Sequence, residues 1–88
     1  MQKHTKIYFD YFKYGQQDFV PCEACGEKAV DIHHIRNRNG KNDVIENLIA
    51  LCRRHHEQAH SAKQYVSKSD FEYIHRSFMA GQRKRFLV

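Results

Sequence analysis

Residues 31–60 read DIHHIRNRNGKNDVIENLIALCRRHHEQAH, and the pattern of apolar residues changes character along them. From Lys28 to Ile35 apolar and polar residues alternate closely enough to predict a strand, in which neighbouring side chains point to opposite faces. Arg36 to Asp43 then holds Asn37, Asn39, Gly40 and Asn42, residue types suited to turns, and reads as a loop. VIENLIALC, residues 44–52, resumes apolar character and is expected to return as an antiparallel strand. Good helix formers run from Arg53 to Ala62.

Just upstream, the single proline of the chain precedes Cys22 and Cys25, a C-x2-C pair followed by Gly26, which suits the tight turn of a metal knuckle. Cys52 and His55 form a matching C-x2-H pair at the junction of the second strand and the helix. Zinc takes four tetrahedral N or S ligands, and two residues between paired ligands let a turn aim both at one ion. A disulfide set is disfavoured by the odd cysteine count of 3. Inert buried thiols leave the paired spacing without a cause. Cys22, Cys25, Cys52 and His55 are therefore expected to hold a structural Zn²⁺, a brace that a chain of 88 residues has use for.

Further out, Ile7, Tyr8, Tyr11, Phe12 and Tyr14 recur at helical spacing between Thr5 and Tyr14, with Gly15 as the expected stop. This aromatic stripe is read as core. A last helix is expected from Ser69, with SDFE as its capping box and Glu72 reaching back. Phe71, Ile74 and Phe78 share one face of it, Gly81 ends it, and a basic tail QRKRFLV follows.

The 7 histidines are in excess of the zinc assignment. On a helix His56 and His60 lie about 40° apart and can share a ligand, whereas Cys52 and His55 point roughly 90° away. One helix can thus serve two sites. If His33 faces that helix and joins His56 and His60, strand alternation turns His34 to the opposite side, where it is free to do something else. A neutral imidazole is suited to take a proton from water near pH 7. His4 and His75 are not expected to join the cluster.

Lys and Arg number 15 against 10 Asp and Glu, a formal charge of +5 that attracts polyanions such as nucleic acid. No apolar run approaches the roughly 20 residues that span a bilayer. The opening MQKHTKIYFDYFKYG carries charges where a secretory signal would have its apolar core, so a cytoplasmic location is expected.

The stretch from about residue 20 to 60 resembles the HNH nuclease family with its ββα-metal motif: a strand ending in DIHH, an Asn in ENL and a closing His after LC. The paired C-x2-C and C-x2-H is similar to the zinc-knuckle version of that family. Asn47, His56 and His60 are spaced as in the nuclease-colicin variant, in which three histidines hold the catalytic metal. The resemblance implies a small α+β fold, a zinc-braced ββα-metal unit with flanking N- and C-terminal helices. It implies one HNH nuclease domain over residues 1–88, with its core motif at about 20–62. It further implies a DNA endonuclease leaving 5′-phosphate and 3′-hydroxyl ends, with His34 as general base, Asn47 as the middle residue of the motif, His56 as the closing histidine, and His33 and His60 as further ligands of the catalytic ion.

Many members carry Asp or Glu where His33 stands. Three imidazoles favour Ni²⁺ or Zn²⁺ by ligand type, while the family and cellular abundance favour Mg²⁺ or Mn²⁺. Arg36, Arg38, Lys41, Arg53 and Arg54 are the expected phosphate contacts. The partner is DNA and not a membrane, with action as a monomer, a homodimer or part of a larger nucleoprotein assembly left open. Short chains of this kind resemble phage or mobile-element nucleases. A non-catalytic zinc-stabilised DNA-binding module explains the charge and the cysteines, as a protein-interaction zinc domain explains the cysteines, but neither gives His33, His34, His56 and His60 a common purpose.

Overall fold

The computed structural model describes residues 1–36, 43–60 and 66–82. Among them, helix α1 spans Lys3–Phe12, strand β1 Asp31–His34, strand β2 Leu48–Leu51, helix α2 Arg53–His60 and helix α3 Lys68–Met79. This is the expected small α+β arrangement, with the ββα order intact between two flanking helices. Of the expected features, Arg38, Lys41, the end of the second helix beyond His60 and most of the basic tail lie outside the described residues.

β2 is the centre of the molecule. Its sequence LIAL is buried at every position, as an uninterrupted apolar run predicts for a strand covered on both faces. Ile49 and Leu51 face a cluster containing Cys22, Ile35, Phe71 and Ile74. Leu48 and Ala50 face another, with Tyr8, Val20 and Ile32. Each large aliphatic side chain so buried contributes roughly 1.5–3 kcal/mol. α2 and α3 cover the first face and α1 the second, while Phe12 and Phe78 meet edge to face at 5.4 Å and join the two flanking helices.

β1 pairs antiparallel with β2 in the register Asp31↔Leu51, Ile32↔Ala50, His33↔Ile49, His34↔Leu48. Directly opposed residues point the same way. Asp31 and His33 therefore stand on the α2 face, and Ile32 and His34 on the α1 face.

Four boundaries differ from expectation. α1 ends at Lys13, which adopts the left-handed conformation at φ 61°, and Tyr14 donates back to the Phe9 carbonyl at 2.9 Å. This Schellman closure leaves Gly15 outside the helix as the start of a turn, its N–H on Asp18 Oδ2 at 2.6 Å. The first strand is shorter than Lys28–Ile35, because only Asp31–His34 pairs in register with β2, Val30 adding one further bond to the Leu51 carbonyl. The second begins at Leu48, since Ile45–Asn47 winds into a 3-10 turn closed by Asn47 N–H on the Val44 carbonyl at 2.9 Å.

The capping box of α3 is built by Ser67 and Asp70, not Ser69 and Glu72: Asp70 N–H donates to Ser67 Oγ at 3.1 Å, and Ser67 N–H to Asp70 Oδ2 at 3.3 Å. An aspartate three residues after a serine does the same work as glutamate there. Glu72 is freed for another partner. Gly81, at φ +87°, does stand just past the helix end.

Candidate functional site

The knuckle turn sets the first cluster. Gly26 takes φ 83° and donates to the Cys22 carbonyl at 2.8 Å, which folds Cys25 back beside Cys22. Cys52 and His55, at the start of α2, arrive from β2. Cys25 Sγ lies 3.8 Å from Cys52 Sγ, and His55 Nδ1 lies 3.7 Å from Cys22 Sγ and 3.1 Å from Cys52 Sγ.

A tetrahedral zinc ion separates its sulfur and nitrogen ligands by about 3.5–3.8 Å; two of these three separations match and the Cys52 to His55 one is shorter, so the four groups fit an ion after a small outward adjustment of His55. Burial pushes the Cys22 thiol up to about 12, so its thiolate form calls for a nearby cation such as a bound metal ion. Burial, and then the charge of Arg54, hold the His55 imidazole below its ordinary value, in the neutral form that ligates metal. Three of the four residues are buried. That is the closed shell of a structural site.

The second cluster stands on the same helix, one residue further round. His56 and His60 bring their Nε2 atoms to 3.1 Å, close to the roughly 2.9–3.4 Å between two imidazoles sharing an ion. The His33 ring centroid is 5.5 Å from that of His56 and 5.0 Å from that of His60. Here the burial is uneven: His33 is buried, His56 half-buried and His60 exposed. Three imidazoles with a solvent-facing side leave room for a ligand that the protein does not supply. Asp31 adds a carboxylate, its Oδ2 lying 3.1 Å from His56 Nε2.

His34 is not part of that cluster. It lies on the other face of β1, where Gln2, His4, Asp31, Ile32 and Asp43 join it around a cleft of about 390 Å³. Asp31 thus belongs to the surroundings of both, touching His56 on one side and bounding the His34 cleft on the other. Asn47 caps the loop between the strands: its Oδ1 accepts from Arg36 N–H at 3.0 Å, and its carbonyl from Ile35 N–H at 2.9 Å. The residues directly after His34 are held at both points.

Over residues 22–62 the chain matches the family model of the HNH endonucleases. No curated protein and no solved structure matches the chain. The matched segment takes in both histidine-bearing strand positions, the Asn47 turn and α2. It leaves out α1 and the whole of α3.

The expected phosphate contacts separate. Arg53 and Arg54 are exposed at the start of α2, with Arg53 4.0 Å from Glu57. Arg36 is engaged: its Nε and Nη2 fork onto the Glu72 carboxylate at 2.5 and 2.8 Å. This holds the Glu72 carboxyl below the usual range.

Of the two histidines not expected to join the cluster, His75 does stay apart from it, whereas His4 reaches one of its members. His4 packs its ring 4.4 Å from that of His34. His75, fully buried, places Nδ1 2.8 Å from Glu23 Oε1 and Nε2 2.6 Å from the Ile45 carbonyl, and Tyr8 donates its hydroxyl to Glu23 Oε2 at 2.5 Å. Both contacts arise from α1 and α3 docking on the sheet, a packing event with no periodic signal. The spacing C-E-A-C did contain one clue, a glutamate inside a knuckle that must itself be buried.

Proposed function

We propose that the chain is a metal-dependent DNA endonuclease of the HNH kind, folded as one domain over residues 1–88. The observation that carries this reading is the placing of two nitrogen sites back to back on β1, joined by Asp31. His33, His56 and His60 would hold a divalent ion at an open site, and His34 faces a separate polar cleft. When bound, the ion supplies positive charge to the scissile phosphate and to the leaving oxygen. Both sites border β1, so a phosphodiester lying along that strand meets each of them.

His34 takes the proton of the attacking water, acting as general base. Asn47 ties the loop to the strand end and so fixes where His34 sits. Arg53 and Arg54 contact flanking phosphates, Arg54 also standing beside the structural zinc ligand His55. Arg36 is committed to Glu72 and contributes less than the sequence suggested. Mg²⁺ or Mn²⁺ is the working ion if the family pattern holds, and Ni²⁺ or Zn²⁺ if three imidazoles decide it. The family resemblance implies that hydrolysis leaves 5′-phosphate and 3′-hydroxyl ends.

Supercoiled plasmid incubated with the protein and each of Mg²⁺, Mn²⁺, Ni²⁺ and Zn²⁺, then quenched with EDTA, tests the reading. Nicking should need an added ion, and His34→Ala should abolish it while zinc content and far-UV circular dichroism stay unchanged. DNA binding without cleavage under every ion would instead identify a zinc-stabilised DNA-binding module.

A further inference from the structure

His34 has two neighbours whose roles the nuclease reading leaves unassigned. Asp43, just before the Asn47 turn, places Oδ1 2.7 Å from His34 Nε2, with the two side chains only 8% and 13% exposed. On the side of α1, the His4 ring lies over His34 at 47° between planes. An ionised carboxylate can only accept a hydrogen bond. The proton in this contact therefore sits on Nε2, and the lone pair of the neutral ring is left on Nδ1. That hydrogen bond also holds the Asp43 carboxyl below its ordinary value, so it is ionised wherever imidazole is neutral.

We infer that Asp43 is the positioning residue for His34: its carboxylate fixes the Nε2–H tautomer and thereby selects Nδ1 as the atom that receives the water proton. The inference rests on the nuclease reading for its catalytic half only. In the step itself the O–H bond of water breaks and its proton passes to Nδ1. The hydroxide oxygen bonds to phosphorus, the bond from phosphorus to the 3′ oxygen breaks, and that oxygen takes a proton from solvent. Asp43 accepts from Nε2–H throughout and stabilises the imidazolium that forms, as an outer carboxylate does for a ligating or catalytic histidine.

The test uses zinc-loaded full chain labelled with ¹⁵N histidine at roughly pH 8, where imidazoles are neutral. Long-range ¹H–¹⁵N correlations should show His34 as the Nε2–H tautomer in wild type and in Asp43→Asn, whose amide oxygen still accepts. Asp43→Ala should fall back from a single tautomer to the Nε2–H and Nδ1–H mixture of an unconstrained imidazole. In plasmid cleavage, Asp43→Ala should lower kcat about tenfold to a hundredfold with KM for DNA unchanged, and Asp43→Asn should recover part of the loss. An unchanged tautomer in Asp43→Ala, or a loss confined to KM, overturns the inference. If Asp43→Ala does not fold, the tautomer of Asp43→Ser, too short to reach the ring, decides in the same way. A wild type that never cleaves, yet whose His34 tautomer follows Asp43, refutes the nuclease reading and upholds the orientation.

Discussion

Replacing His75 by phenylalanine isolates the buried charge network. Phenylalanine is somewhat larger than the imidazole, so no cavity is added, and the lost hydrogen bonds are joined by a packing cost of the same sign. Glu23 and His75 have side-chain exposures of 0% and 1%, and in the variant Glu23 keeps only the Tyr8 hydroxyl and the Ala50 N–H, the latter at 3.4 Å. Removing one partner of such a pair costs about 3–5 kcal/mol. A domain of this size has only about 4–13 kcal/mol in all. At about 4–8 °C per kcal/mol, Tm in saturating zinc should fall by at least roughly 12 °C.

The pH dependence has a definite sign. Burial acts to lower the His75 value, but the hydrogen bond and charge of Glu23 outweigh it, and the folded value is raised. The contribution is then complete below the unfolded imidazole value of about 6.5 and fades as pH rises through the folded one. Circular dichroism melts of wild type and His75→Phe should show a gap that is widest in mild acid and narrows toward alkaline pH. Adding Glu23→Leu and Tyr8→Phe should restore much of the loss by leaving no buried charge. A His75→Phe variant within about 4 °C of wild type at pH 6 would refute the reasoning.

Chelating zinc, or Cys52→Ser, should unfold the chain, because structural zinc is worth roughly 10–16 kcal/mol and exceeds the stability available; elemental analysis with far-UV circular dichroism follows both. Ser67→Ala removes the oxygen that accepts from Asp70 N–H and should cost about 1 kcal/mol, read as a Tm lowered by roughly 4–8 °C, while Ser69→Ala should cost far less. Arg53→Ala and Arg54→Ala should each reduce the salt-dependence slope of DNA binding by about 1, whereas Arg36→Ala should change it less because Glu72 already holds that guanidinium.

Much of the fold could be read from residue spacing because the elements around the site are local. LIAL had to be a strand covered twice, and the paired C-x2-C and C-x2-H had to meet. The ends of elements were less legible. Gly15 and Ser69 are sound stop and start signals taken alone, but Lys13 and Ser67 make better closures once the chain on either side is placed. Such choices are decided by which groups the folded chain brings within hydrogen-bond reach, and composition does not report that.

The histidines divide along the same line. His56 and His60 were readable because a helix repeats every 3.6 residues, and His33 and His34 because a strand repeats every two. Nothing periodic links His4 to His34, Asp43 to His34, or His75 to Glu23, positions 30, 9 and 52 residues apart. Yet these contacts set how the readable residues can behave. The α1 face of β1 is closed by His4 and Asp43 into a polar cleft about His34, and on the α2 face three imidazoles run from buried His33 to exposed His60 beside the largely buried Cys22, Cys25, Cys52 and His55 cluster. A flat strand with two adjacent histidines offers two equivalent rings. It is the unequal covering of its faces, by a helix with a polar N-terminus on one side and by the helix that carries His55, His56 and His60 on the other, that gives the rings different surroundings.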